Sequence, residues 1–157
     1  MDADPAAMPG DGHIVFIGRV ASPWTRREDC PKNMRAARET GKPAAVFIDT
    51  PFRPGLRGLE AASHVIVLTW LHRSPRDLIV QRPRHATEAK GVFALRSPLR
   101  PNPVGLHVVR LVSLDIEKGE VGLEAIDALD GTPVIDLKPY FASVDAVPDA
   151  TVARSGG

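Results

Sequence analysis

The sequence predicts a mainly β protein of the α+β kind: a small mixed β-barrel with one principal helix. Three observations predict it. Apolar residues recur with period two along most of the chain, a single segment has helical composition, and glycine- or proline-bearing turns separate the short strand-like runs. The first strand is expected over His13 to Ala21. Pro31 to Thr40 follows as the helix, with Asp29 or Cys30 at its cap, proline in its first turn and Gly41 as terminator. Ala44 to Ile48 is a second strand, Leu56 to Ala62 a further helical turn, and His64 to Leu71 a nearly continuous apolar run that reads as a buried strand. Gly91 to Leu95, Leu106 to Ile116 and Glu120 to Ile126 come next, the last two joined by Glu117-Lys118-Gly119. The Asp130-Gly131 turn leads into Val134 to Leu137. Residues 13–149 are expected to form one domain between loose tails at 1–12 and 150–157.

At 157 residues, 43% hydrophobic and 25% charged, the chain has the composition of a globular domain. No apolar run approaches the roughly 20 residues that span a bilayer, and the acidic start MDADPAAMPGDGH lacks the features of a signal peptide, so a cytoplasmic, membrane-free setting is expected. Cys30 stands alone, which excludes an internal disulfide. The five histidines, at 13, 64, 72, 85 and 107, form no pair at ligand spacing beside a carboxylate, so no metal site is expected. Glycine-rich dinucleotide and phosphate loops are absent, as is a nucleophile elbow. The net charge is only +1, yet Arg73 to Arg100 holds seven basic residues against Asp77 and Glu88, a stretch suited either to a polyanion or to solvent.

GVFALRSPLRPNPVGL, Gly91 to Leu106, is the most unusual stretch. Its three prolines fix their own φ and push Arg100 and Asn102 toward extended geometry, an expensive way to build an ordinary loop but an effective way to hold polar groups still around a ligand. Other polar residues fall at strand ends, His72-Arg73, Arg96, Asp127 and Asp130 among them, where small-molecule sites are commonly built.

This stretch, with Asp127 to Tyr140 (DALDGTPVIDLKPY), Ile17 to Pro23 and Arg57 to His64, closely resembles the TsaA-like family from about Ile14 to Asp149. Its best-understood members are S-adenosyl-L-methionine-dependent tRNA methyltransferases acting on N6-threonylcarbamoyladenosine next to the anticodon. The resemblance implies a mixed β-barrel, a homodimer, and cofactor bound near the subunit interface. Carried over by motif, the cofactor contacts are His72, Arg73, Arg96, Leu106, Ala125, Ile126 and Asp127, with Lys32 and Asn33 in the place of a family Pro-Arg-Gln segment. On chemical grounds Arg96 suits the cofactor carboxylate, Asp127 its ammonium or ribose, and Leu106 its adenine. Arg100, Asn102 and Lys138 are the substrate-side candidates, with Arg73 to Arg84 gripping the anticodon stem-loop. Asp130, Asp136 and Tyr140 are the candidates for a catalytic base. The chain departs from the pattern at Leu95, where threonine or serine is common, and at His107, where serine is common; a short form without the extra C-terminal domain of long members is expected. A related methyltransferase with another RNA or small-molecule acceptor, or a non-catalytic binding barrel, stays open beside the main reading.

Overall fold

Valine dominates the inward positions of the strands, and its branched Cβ packs well on a pleated surface. In the computed structural model, which describes residues 4–153, six strands close into an antiparallel barrel. They are β1 (Gly18–Ala21), β2 (Ala44–Ile48), β3 (His64–Trp70), β6 (Val104–Asp115), β7 (Glu120–Leu123) and β8 (Pro133–Pro139), in the order β1-β2-β7-β6-β3-β8. A two-stranded ribbon of β4 (Val80–Gln81) and β5 (Lys90–Gly91) stands outside it. Closure leaves no barrel strand with an unpaired edge. Val20, Val46, Ile48, Val65, Val67, Val109, Val121, Leu123 and Val134 fill the interior.

The β3–β6 ladder decides which side chains face where. It runs unbroken from His64↔Arg110 to Trp70↔Val104. Alternation sends Val65, Val67 and Thr69 inward from β3, and Val109, His107 and Gly105 inward from β6. The inward row therefore begins in valine and ends in Thr69 and His107. The other parity leaves Val104, Leu106 and Arg110 on the outer face of β6.

Several boundaries differ from those expected. The first strand starts at Gly18 rather than His13, because its partners supply pairing only from there: Gly18↔Ile48 on one side and Gly18↔Val134 on the other. The principal helix, α1, is Met34–Glu39, and its cap is Asn33 rather than Asp29 or Cys30. Asn33 is extended and its Oδ1 accepts from the Ala36 N–H at 2.8 Å, while Arg27–Asp29 forms a separate 3₁₀ turn. Gly41, at φ +66°, ends the helix as expected. Leu56 to Ala62 is not an α-helical turn but parts of two 3₁₀ turns, Thr50–Leu56 and Leu59–Ala61. Gly91 to Leu95 is not a strand: after Gly91 the chain enters a 3₁₀ turn, Val92–Ala94, since β4 offers only two residues to pair. Val134 to Leu137, by contrast, is part of a full wall strand that joins β1 to β3. A short helix, α2 (Ala142–Asp145), follows. Of the expected tails, residues 1–3 and 154–157 lie outside the described residues, and residues 8–16 are exposed.

Leu123, fully buried between β2 and β6, tests this core. Leu123→Ala is expected to lower the unfolding free energy by about 2–5 kcal/mol. Phe93→Ala, at a side chain 81% exposed, is expected to cost less than about 0.5 kcal/mol. Urea titration of both variants measures the difference.

Candidate functional site

The outer face of β6 forms one wall of a cleft of roughly 1650 Å³. Three other segments complete it: Thr25 to Met34 ahead of and into α1, Leu71 to Ser74 after β3, and the Phe93 to Asn102 loop. Asp127 to Leu129 joins them beside His107.

Each wall has a local cause. Arg100, flanked by proline, turns its guanidinium back on its own loop, donating through Nη1 to the carbonyls of Leu95 at 3.1 Å and Ser97 at 2.9 Å. Its Nη2 donates to the Val92 carbonyl at 2.9 Å. Arg76 ties the far end of the loop, donating to the Pro101 carbonyl and to Asn102 Oδ1 at 3.2 Å while its guanidinium lies 5.2 Å from the Trp70 ring centroid. The prolines limit the loop's conformations, and the two arginines fasten it.

The Asp127 segment is stitched to the chain after β1. Trp24 Nε1 donates to the Ile126 carbonyl at 2.8 Å, Ser22 Oγ donates to the Ala128 carbonyl at 2.7 Å, and the Ser22 N–H donates to Asp130 Oδ1 at 3.1 Å. Asp127 itself meets the inward row of the barrel. Its Oδ1 lies 2.6 Å from His107 Nδ1, and His107 Nε2 lies 2.9 Å from Thr69 Oγ1. His107 is 4% exposed and the Asp127 side chain 15% exposed. Burial, together with the Asp127 carboxylate, pushes the Cys30 thiol up to about 11. The thiol is thus a protonated, half-buried part of the wall.

The residues expected at the site divide into four groups. Lys32, Asn33, His72, Arg73, Arg96, Leu106 and Asp127 all line the cleft, although Asn33 Oδ1 is committed to capping α1. Arg100 and Asn102 line it too, but Arg100 Nη1 and Nη2 and Asn102 Oδ1 are engaged in fastening the loop. Ala125 and Ile126 lie beneath the surface, buried, and the Ile126 carbonyl is taken by Trp24. The proposed bases and the substrate-side candidate Lys138 are not among the residues lining the cleft. Asp130 holds the Ser22 N–H, and Tyr140 packs near His64 with ring centroids 6.4 Å apart. Asp136 sits 3.3 Å from Lys138 Nζ and lines a separate small hollow with Ile17, Phe52 and Leu137. Sequence reading noted His107 only as a departure and missed Thr69. Counting parity from Leu106 would have exposed the signal, a histidine on an inward row otherwise apolar.

Residues 19–146 match the family model for the tRNA-methyltransferase O N-terminal domain. The chain belongs to that family. Among its relatives is a probable S-adenosyl-L-methionine-binding protein of Methanothermobacter thermautotrophicus, 40% identical over 132 residues that cover 83% of this chain and 91% of that one. The tRNA (adenine(37)-N6)-methyltransferase of Escherichia coli is 33% identical over 143 residues, covering 87% of this chain and 61% of that enzyme. A crystal structure of TrmO superposes with a TM-score of 0.75 at 34% identity, covering 91% of this chain and 64% of the other. TrmO from Pseudomonas aeruginosa gives 0.72 at 33% identity, with 90% and 62% covered. The chain thus spans nearly all of the archaeal relative but under two thirds of the enzyme and of the two solved structures. Family and barrel agree with the expectation from sequence.

Two measurements check this geometry. Alkylation of Cys30 by iodoacetamide at pH 8 is expected to be about a hundredfold slower in the folded protein than in urea, because a pKa near 11 removes most of the thiolate. Asp127→Asn is expected to speed it, and equal folded and unfolded rates would contradict the placement. Arg100→Lys, which replaces a two-pronged donor with a point charge, is expected to raise amide hydrogen exchange across residues 92–100 about five- to tenfold.

Proposed function

We propose that this chain binds S-adenosyl-L-methionine in the β6 cleft and methylates tRNA, at N6 of threonylcarbamoyladenosine beside the anticodon. One observation supports this reading above the others. Lys32, His72-Arg73, Arg96, Leu106 and Asp127 come from segments up to ninety-five positions apart, and they converge on one cleft. The names of the relatives, S-adenosyl-L-methionine-binding protein and tRNA methyltransferase, point the same way.

The donor set fits such a ligand, which carries a carboxylate, an ammonium, a sulfonium and a flat base. Arg73 and Arg96 are exposed cations on the cleft wall, and neither makes a side-chain hydrogen bond or ion pair among the described residues, so both are available to a carboxylate. Asp127 supplies a carboxylate for a cationic or hydroxyl group. Leu106, 49% exposed, supplies an apolar wall. When bound, the cofactor supplies a methyl group for in-line displacement by the acceptor nitrogen. The chain contributes orientation: a fastened loop and a fixed carboxylate hold both partners, and alignment of this kind can supply roughly 7–11 kcal/mol of a barrier. Arg82 and Arg84, exposed beyond the cleft, suit the phosphates of an anticodon stem-loop. Val104, Leu106 and Phe93 leave an apolar outer face that a second copy of the chain would cover, consistent with a homodimer. A cytoplasmic setting follows from the tRNA substrate, and no described helix is long and apolar enough to cross a membrane.

Calorimetry with S-adenosylhomocysteine and methyl transfer to tRNA bearing or lacking threonylcarbamoyladenosine test the two halves separately. Arg96→Ala is expected to weaken cofactor binding about tenfold, and Arg84→Ala less than about threefold. Arg84→Ala is expected instead to weaken tRNA binding and flatten its salt dependence by about one unit of slope. Binding without transfer to either tRNA would leave a cofactor-binding barrel with another acceptor, and no binding would remove the reading.

A further inference from the structure

We infer that His107 is a positioning residue for the cofactor site: it holds Asp127 by Oδ1 so that Oδ2 is presented to the ligand in one orientation. The inference rests on the reading of the β6 cleft as the S-adenosyl-L-methionine site. Three independent features carry it. Asp127 Oδ1 is engaged at 2.6 Å, whereas Oδ2 has no hydrogen-bond partner among the described residues and is not an enclosed orphan atom, so it remains open to the cleft. The ring is oriented from behind, where Thr69 Oγ1, itself buried, lies 2.9 Å from Nε2. Beside a carboxylate, Nδ1 carries the proton and the hydroxyl then donates to Nε2. Finally, Gly105 makes room for the pair: a Cβ there would run into Thr69 Oγ1 and come within 2.8 Å of His107 Nε2.

A histidine filling space in a barrel needs none of this, since a valine would fit the row that holds Val109 and Val67. The imidazole bridges two elements, β3 and the Asp127 segment, that share no other side-chain hydrogen bond among the described residues. An aspartate held at one oxygen loses less rotational freedom when a ligand engages the other, which strengthens binding without a new contact.

The two amide variants separate this role from packing. Asparagine places its nitrogen near the position of Nδ1 and keeps the Asp127 contact; glutamine reaches the position of Nε2 and keeps the Thr69 contact. Calorimetry with S-adenosylhomocysteine is expected to show His107→Asn within about threefold of wild type and His107→Gln about tenfold or more weaker. Urea titration of both variants accompanies it, and a purely structural histidine would give equal affinities whatever the stabilities. Equal affinities overturn the inference. If His107→Gln does not fold, Thr69→Val is the deciding variant: the inference requires a loss of about two- to fivefold, and wild-type affinity overturns it. Failure of the wild-type protein to bind is a different result, because it removes the cofactor reading itself and the positioning role with it.

Discussion

The β3–β6 ladder is the constraint from which the rest of the molecule follows. Its seven consecutive pairs hold two parities at once: an inward row that is apolar at Val65 and Val109 and polar at Thr69 and His107, and an outward row that carries Leu106 to the cleft. A slip of one residue would put His107 outside and turn Leu106 inward, away from the cleft. The packing of the barrel and the composition of the cleft are therefore one decision rather than two. The register shift between Leu68 and Thr69 against β8 and the glycine at 105 both fall at the polar end, where the regular ladder gives way to the site.

Around this wall the protein divides its basic residues between structure and function. Arg100 and Arg76 are drawn into backbone carbonyls, and Arg53 likewise donates to the carbonyls of Ile48 and Glu117. A planar guanidinium with several donors can tie two or three strands of loop at once, which a lysine cannot. Arg73, Arg82, Arg84 and Arg96 are left exposed. The positive charge offered to a polyanion is thus smaller than the count of basic residues between 73 and 100 suggests, with Arg73 and Arg96 on the cleft wall and Arg82 and Arg84 beyond it. The rigid loop and the exposed charges depend on each other, because a charge on a fastened loop meets its partner at a lower entropic cost.

The small hollow lined by Asp136 shows the value of separating the site from the motif. Asp127 and Asp136 belong to one continuous signature, yet the chain carries the first into the β6 cleft and the second along β8 to the other side, beside Lys138. Adjacency in sequence did not survive folding, whereas Lys32 and Asp127, far apart in the chain, came together.

What the sequence determined by itself was the fold class and the number and order of most strands, together with a list of candidate residues for the cleft. Period-two valines, proline-bounded loops and a family signature are local properties, and each can be read without knowing what lies opposite. The tertiary structure alone decided where strands stop and which polar atoms remain free. The first strand begins at Gly18 because β2, its antiparallel partner, ends opposite it at Ile48, and the Gly91 to Leu95 run becomes a turn because no partner of sufficient length faces it. Arg100 and Asn102 were expected on the substrate side, but Arg100 Nη1 and Nη2 are taken by carbonyls of their own loop and Asn102 Oδ1 by Arg76. Asp127 is half satisfied, and the histidine that satisfies it lies 20 residues away on the inward row of another strand. Hydrogen-bond capacity is used up by partners distant in the chain, so only the folded state reveals which groups are left for a ligand.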